Sequence, residues 1–310
     1  MHAAIWSFHR KRFGFLANLQ GASDPRIFQI TFLGLLLAAG VFLRDFSLHP
    51  AQVFFTLAAA LSTQRLSWIA NPPISRSYRS AIITSLSLVL LLRADNLIVH
   101  PLAAAAAISS KSLFRIRGKH LFNPATLGIV FAITCLPGTW VSPGQWGHDV
   151  AIAGWLVVLG TTVAHRAHRN DLSFAFLALY LGAIALRVIY LGQLWPVWTH
   201  QLTNGAILLF AFFMISDPMT SPNSRRGRIA HAATVAAIAF GWQFHFFSTN
   251  GLIWALFFAA PAVPLWDAIW PAPKFAWCAS NGGEHEIKIG VHSNDRDARA
   301  LRRGKSLRAA

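Results

Sequence analysis

The sequence predicts an all-α membrane protein of about ten transmembrane helices, and three features converge on that class. The 310 residues are 55% apolar and only 12% charged, with a mean hydropathy of +0.46. So few charges cannot coat soluble domains, which excludes a soluble protein. Apolar runs recur from Phe28 to Trp270 with only short polar gaps between them. The basic residues behind a net charge of +16 sit mainly in alternate gaps and at the two ends. The chain thus divides into an N-terminal segment 1–27, a membrane domain 28–271 and a basic tail 272–310.

Ten spans are drawn at 28–43, 50–70, 80–92, 96–108, 121–137, 149–164, 172–190, 201–216, 226–246 and 250–271. Each takes about 24 residues with its loop, which suits a helix of about 20 residues and a short turn. An even number places both termini on one side. Of the 27 Lys and Arg, all fall on that side except Arg44 and Arg93 at the opposite face and Arg65 and Arg187 inside spans. The positive-inside rule then makes both termini cytoplasmic. The tail cations, among them Arg296, Arg299 and Arg302, are assigned to anionic lipid at the cytoplasmic face rather than to nucleic acid. The first 27 residues lack an apolar stretch ending in a small-residue cleavage site, so the first span reads as a retained helix.

Spans 80–92 and 96–108 are short for a hydrocarbon core of about 30 Å. They read either as two helices or as one dipping hairpin with Arg93-Ala94-Asp95-Asn96 at its tip. Cys135 and Cys278 fall on opposite faces and can share neither a disulfide nor a metal. Trp140, Trp146, Trp195 and Trp198 outside, with Trp68, Trp266, Trp270 and Trp277 inside, form interfacial belts. All eleven acids lie in loops, tails or span ends, so a mid-membrane carboxylate relay is missing. Arg65 and Arg187 lie near enough to an interface to snorkel. His165 and His168 read as interface residues, not haem ligands, and no metal site is expected.

Three Asn/Asp-Pro steps mark the cytoplasmic side: Asn71-Pro72, Asn123-Pro124 and Asp217-Pro218. Proline at the first helical position behind an Asn cap is a helix start, since the ring needs no partner for its missing N–H and the Asn oxygen accepts an orphan amide. Asn123-Pro124 therefore opens the fifth helix. From Ala125 to Leu136 that helix covers only about 18 Å, so its positive end is expected inside the bundle, facing a cytoplasmic vestibule. With Arg115, Arg117, Lys119 and His120 just upstream, it suits an anionic or strongly accepting ring or a phosphate. The same residues also read as an ordinary positive-inside loop and cap. A second segment, Met214 to Arg226, ends a short apolar span and reads equally as a Pro-rich turn with basic anchors.

His120-Leu121-Phe122-Asn123-Pro124-Ala125, and then Phe212-Phe213-Met214-Ile215-Ser216-Asp217-Pro218-Met219-Thr220-Ser221-Pro222, resemble two motifs of one family. It is the family of the B subunit of the sodium-translocating NADH:quinone reductase and the D subunit of the Rnf electron-transport complex. The resemblance implies two inverted five-helix repeats, placement in the bacterial cytoplasmic (inner) membrane, and electron transfer through flavins in a larger ion-coupled complex with other membrane redox subunits. Five helices per repeat do force opposite orientations.

The resemblance also implies a noncovalent flavin, riboflavin or FMN, near an Asn-x-x-Asn-Pro stretch. Here His120 replaces the first Asn and Asn123 matches the second. The family's covalent FMN sits on a Ser/Thr-Gly-Ala-Thr/Ser motif. Its nearest counterpart here, Gln20-Gly21-Ala22-Ser23, lacks the first hydroxyl residue and lies on the cytoplasmic side, so covalent FMN is not expected. The expected flavin pocket comprises Lys119, His120, Asn123, Pro124 and Thr126, with Asp217, Thr220 and Ser221 as a second lining segment. The alternative function is a channel or carrier for a small solute, of the same fold and without a redox cofactor.

Overall fold

In the computed structural model, residues 24–43, 46, 48–70, 76–142, 146–147 and 150–275 are described. Asn71-Pro72, Cys278, Trp277, the Gln20–Ser23 string and the tail cations lie outside them. Among the described residues, helices cover the predicted apolar runs, two of which are broken into shorter pieces. They are α1 (Pro25–Leu43), α2 (Pro50–Ala70), α3 (Arg79–Leu91), α4 (Val99–Leu113), α5 (Pro124–Cys135), α6 (Val150–Arg166), α7 (Asn170–Tyr190), a broken eighth segment, α10 (Arg225–His245) and a jointed tenth. The eighth joins α8 (Pro196–Leu202), α9 (Gly205–Leu209) and a π-helix, Phe210–Met214. The tenth joins α11 (Gly251–Ala259) and α12 (Val263–Ile269) through a 3-10 turn.

Among the described residues, Pro25–Leu43, Asn170–Tyr190 and Gly251–Ile269 are long and apolar enough to cross a membrane. The short helices owe their length to their ends. The 13 residues of α3, 15 of α4 and 12 of α5 rise only about 18–22 Å, well short of a bilayer core. Between α3 and α4 the chain forms β1 (Leu92–Ala94), which pairs antiparallel with β4 (Thr139–Val141), Arg93 opposite Trp140. β1 falls at the turn expected around Arg93–Asn96, and the ribbon satisfies backbone groups that neither helix can.

The core is built from small residues where helices cross. Ala103, Ala104 and Ala107 on α4 are fully buried, and Gly128 on α5 lies so close that a Cβ there would meet the Ala103 carbonyl at 2.7 Å. Trp146, expected in the outer belt, is instead 2% exposed and packs edge-on against Phe46 at 5.0 Å. Its large apolar surface is worth more in the core than at an interface. Arg65 is exposed, and Arg187 lies over the Phe244 ring at 4.4 Å. One end of the bundle, here the basic end, gathers Asp24, Arg79, Lys119, Arg169, Ser221, Arg228 and Asp267 through ion pairs and hydrogen bonds.

Candidate functional site

At the basic end, α4 leads into a hairpin of β2 (Arg115–Ile116) and β3 (Lys119–His120). Its two central residues, Arg117 (φ 49°) and Gly118 (φ 78°), both have positive φ, the signature of a type I′ turn. The turn leaves Arg117 exposed and sends Lys119 inward, where it is 7% exposed. Lys119 Nζ donates to Ser221 O at 2.5 Å, to Asp267 Oδ2 at 2.9 Å and to Asn223 Oδ1 at 3.3 Å. Asp267 Oδ1 accepts from the Asn223 amide at 2.7 Å. One ammonium thus ties together the hairpin, the turn after the π-helix and α12. Burial lowers the Lys119 pKa, while Asp267 opposes that shift.

Four residues on, Asn123 caps α5 as the sequence predicts. Its Oδ1 accepts from the Thr126 amide at 3.1 Å with Pro124 at the first position. Its Nδ2 donates to the carbonyl of Met214 at 3.2 Å, the last residue of the π-helix. The cap therefore does two jobs: it starts one broken helix and terminates another. Both happen in the interior, for Asn123 is 8% exposed and Thr126 fully buried. The Thr126 hydroxyl has no partner among the described residues.

Asp217-Pro218 behaves differently from Asn123-Pro124 and starts no helix. Asp217 Oδ1 accepts from the Met219 amide at 3.0 Å and Oδ2 from the Thr220 hydroxyl at 3.2 Å, closing a turn instead. The next helix, α10, begins at Arg225 under a Ser224 cap. Burial raises the Asp217 pKa, and the Met219 and Thr220 hydrogen bonds hold the rise back. Ser221 Oγ accepts from Arg169 Nε at 3.0 Å, and burial brings the Arg169 pKa down to about 10. Arg228 grips Asp171 at 2.6 Å and also donates to Asn223 O.

A cavity of about 220 Å³ opens at this end, with Lys119, His120 and Asn223 in its lining and Asp267 beside them. His120 Nδ1 faces Lys111 O at 3.2 Å, the geometry of an N–H donated to a carbonyl. Burial, and then the cations Lys111 and Arg115, drive the His120 pKa down to about 4, so the ring is neutral. Of the eight expected pocket residues, Lys119 and His120 line this cavity. Asn123, Pro124, Thr126, Asp217, Thr220 and Ser221 do not. At Asn123 itself the π-helix end is held against the α5 terminus by the bond to Met214.

The structure adds Asp267 and Lys274 to the site and brings in Arg117 and Asn223 from the two segments that the sequence singles out. Asp267 lies 148 positions from Lys119, a pairing that no local pattern announces. A flavin is a poor match to this arrangement. Small-molecule pockets run to about 300–1,000 Å³, and this one is smaller. Two of the residues expected to hold the flavin, Asn123 through Nδ2 and Lys119 through Nζ, are already bonded within the chain. In this closed arrangement the residues do not fit an isoalloxazine ring.

Residues 142–275 match the model of the NQR2, RnfD, RnfE family. Over those residues, fewer than half of the chain, it is similar to that family. The match contains the Phe212–Pro222 motif, in agreement with the resemblance carried by that motif, and stops short of His120–Ala125. The chain is similar to the D subunit of the ion-translocating oxidoreductase complex of Stutzerimonas stutzeri, 28% identical, over 42% of this chain and 56% of that relative. It is also similar to the D subunit of the same-named complex in Haemophilus influenzae strain Rd, 28% identical over 131 residues, 42% of this chain and 35% of the relative. The chain thus spans little more than half of the first relative and about a third of the second.

Proposed function

We propose that this chain is an integral-membrane subunit of an ion-translocating electron-transport complex of the bacterial cytoplasmic membrane, with the basic end facing the cytoplasm. The observation that supports this most is the fold around the family motif. The π-helix ends at Met214 on the side chain of Asn123, and the following turn is locked by Lys119, Arg169 and Asp267. The matched segment and the preceding motif therefore form one buried unit, as a shared ancestral function would require. Relatives that carry this segment are named for an ion-translocating oxidoreductase complex, and the same assignment is extended here.

On this reading the chain's own residues position backbone. Asn123 holds two half-helix ends together, and Lys119 holds the hairpin to the turn and to α12. Flavin dependence belongs to the assembled complex, with other redox subunits as partners, and no step is routed through a flavin in this chain. Purification of the tagged chain from its native membranes in mild detergent tests the proposal. The expected product is an assembly much larger than the 34.1 kDa chain, with a chromophore that a reductant bleaches. A colourless single chain that passes a small solute through liposomes without any reductant would overturn it in favour of a channel.

A further inference from the structure

The cavity under the β2–β3 hairpin is lined by more positive charge than the fold uses. Lys119 at its floor is matched by Asp267, the one carboxylate in its lining among the described residues, and that carboxylate is also engaged by the Asn223 amide. Two further cations, Arg117 and Lys274, stand at the mouth and are exposed. Lys274 Nζ is held by carbonyls, Gly118 O at 2.9 Å and Arg117 O at 3.5 Å, which orient the ammonium without neutralising it. It draws the segment after α12 across the hairpin. Arg115 donates to the same Gly118 carbonyl at 3.4 Å, adding another positive charge alongside.

The turn itself argues for a use of Arg117. Type I′ turns favour Asn, Asp or Gly at both central positions, because a Cβ is strained at positive φ. Gly118 follows that chemistry and Arg117 does not, yet Arg117 holds φ 49° at the rim of the cavity. The volume, about 220 Å³, is small for an organic cofactor but ample for a tetrahedral oxyanion and its waters.

We propose that this cavity is a phosphate-binding site, in which Arg117 and Lys274 close over a phosphate group whose inner oxygens face the side-chain amide of Asn223. Guanidinium and ammonium donors from two chain segments suit phosphate oxygens, and Asn223 keeps an amide N–H₂ for one more bond. The phosphate can arrive on a lipid headgroup or free in solution. The site rests on the placement of the basic end at a membrane surface but not on the redox reading, so either can fail without the other.

The test uses the purified full chain with two probes: inorganic phosphate, and nanodiscs containing phosphatidic acid. In the first arm, thermal unfolding is followed in phosphate against chloride at equal ionic strength. In the second, lipid retention is read by native mass spectrometry. The variants are R117Q/K274Q, and R226Q as a control that removes an exposed cation elsewhere on the same end. A soluble-phosphate site raises Tm in phosphate; a headgroup site retains phosphatidic acid without that rise. In whichever arm responds, R117Q/K274Q is expected to weaken binding at least about ten-fold, and R226Q to leave it unchanged. The proposal is overturned if neither probe separates wild type from R117Q/K274Q, or if R226Q weakens binding as much, which would mean diffuse surface charge. R117G/K274Q, which relieves the turn, guards against a folding artefact and must bind as weakly as R117Q/K274Q.

Discussion

Lys119 and Asn123 stand four residues apart at the same end of the bundle, and their surroundings differ in kind. Around Asn123 each amide atom has a backbone partner, and the neighbouring helix end closes the space in front of it. Around Lys119 the side chains are charged, a cavity remains, and further cations reach its rim. The difference shows how a buried helix start can be used up in folding. An orphan N-terminus attracts an anion only when the fold leaves it unsatisfied, and here the interior Met214 carbonyl engages the side chain that caps it. The capacity to bind a ligand has moved one hairpin upstream, where charge exceeds what the fold consumes.

The largest expected effect lies on the charged side. Lys119→Met leaves Asp267 partly buried without its cation, and thermal unfolding in detergent should show a loss of about 3–5 kcal/mol. Adding Asp267→Asn should recover much of that loss, whereas no recovery would mean that the ion pair is incidental. Next comes the tight packing behind the closed side. Gly128→Ala places a Cβ 2.7 Å from the Ala103 carbonyl and should cost about 2–3 kcal/mol by forcing α5 off α4.

The cavity wall gives a pH signature. His120 titrates at about 4 in the folded chain against an ordinary 6.5, so between those values the unfolded chain binds more protons. Stability contributed by neutral His120 is complete above pH 6.5 and is lost as the pH falls towards 4. His120→Gln should flatten that acid-side slope by on the order of 2 kcal/mol, read from Tm against pH. An unchanged slope would place the ring in solvent. The smallest effect is Asn123→Ala, about 1–2 kcal/mol for a lost cap and one interior hydrogen bond. It should leave the phosphate response intact, and loss of that response would break the distinction between the two regions.

Much of this is legible in the sequence because the signals are local. The apolar runs mark where the helices form, and Asn123-Pro124 announces its own cap, since the cap, the proline and the donating amide lie within four residues. The short runs at 80–92 and 96–108 forecast the turn at Arg93 to Asn96, although not that β4 pairs with it from a later segment. What stays hidden depends on distance. Nothing near Asn123 says that its second bond goes to Met214, 91 positions on. By their place in the chain Asp267 and Trp146 read as span-end and interface residues, but each is fixed by a partner from another segment. Asp217-Pro218 looks like Asn123-Pro124 on paper and forms a turn, because the Asp217 carboxylate bonds forward to Met219 and Thr220.

Ion uptake into inverted membrane vesicles, driven by a reductant and compared between cells with and without this chain, tests the proposed function most directly. Reductant-driven uptake is expected to disappear when the chain is deleted and to return when it is supplied again. Uptake that persists undiminished in its absence would contradict a role in ion-coupled electron transport.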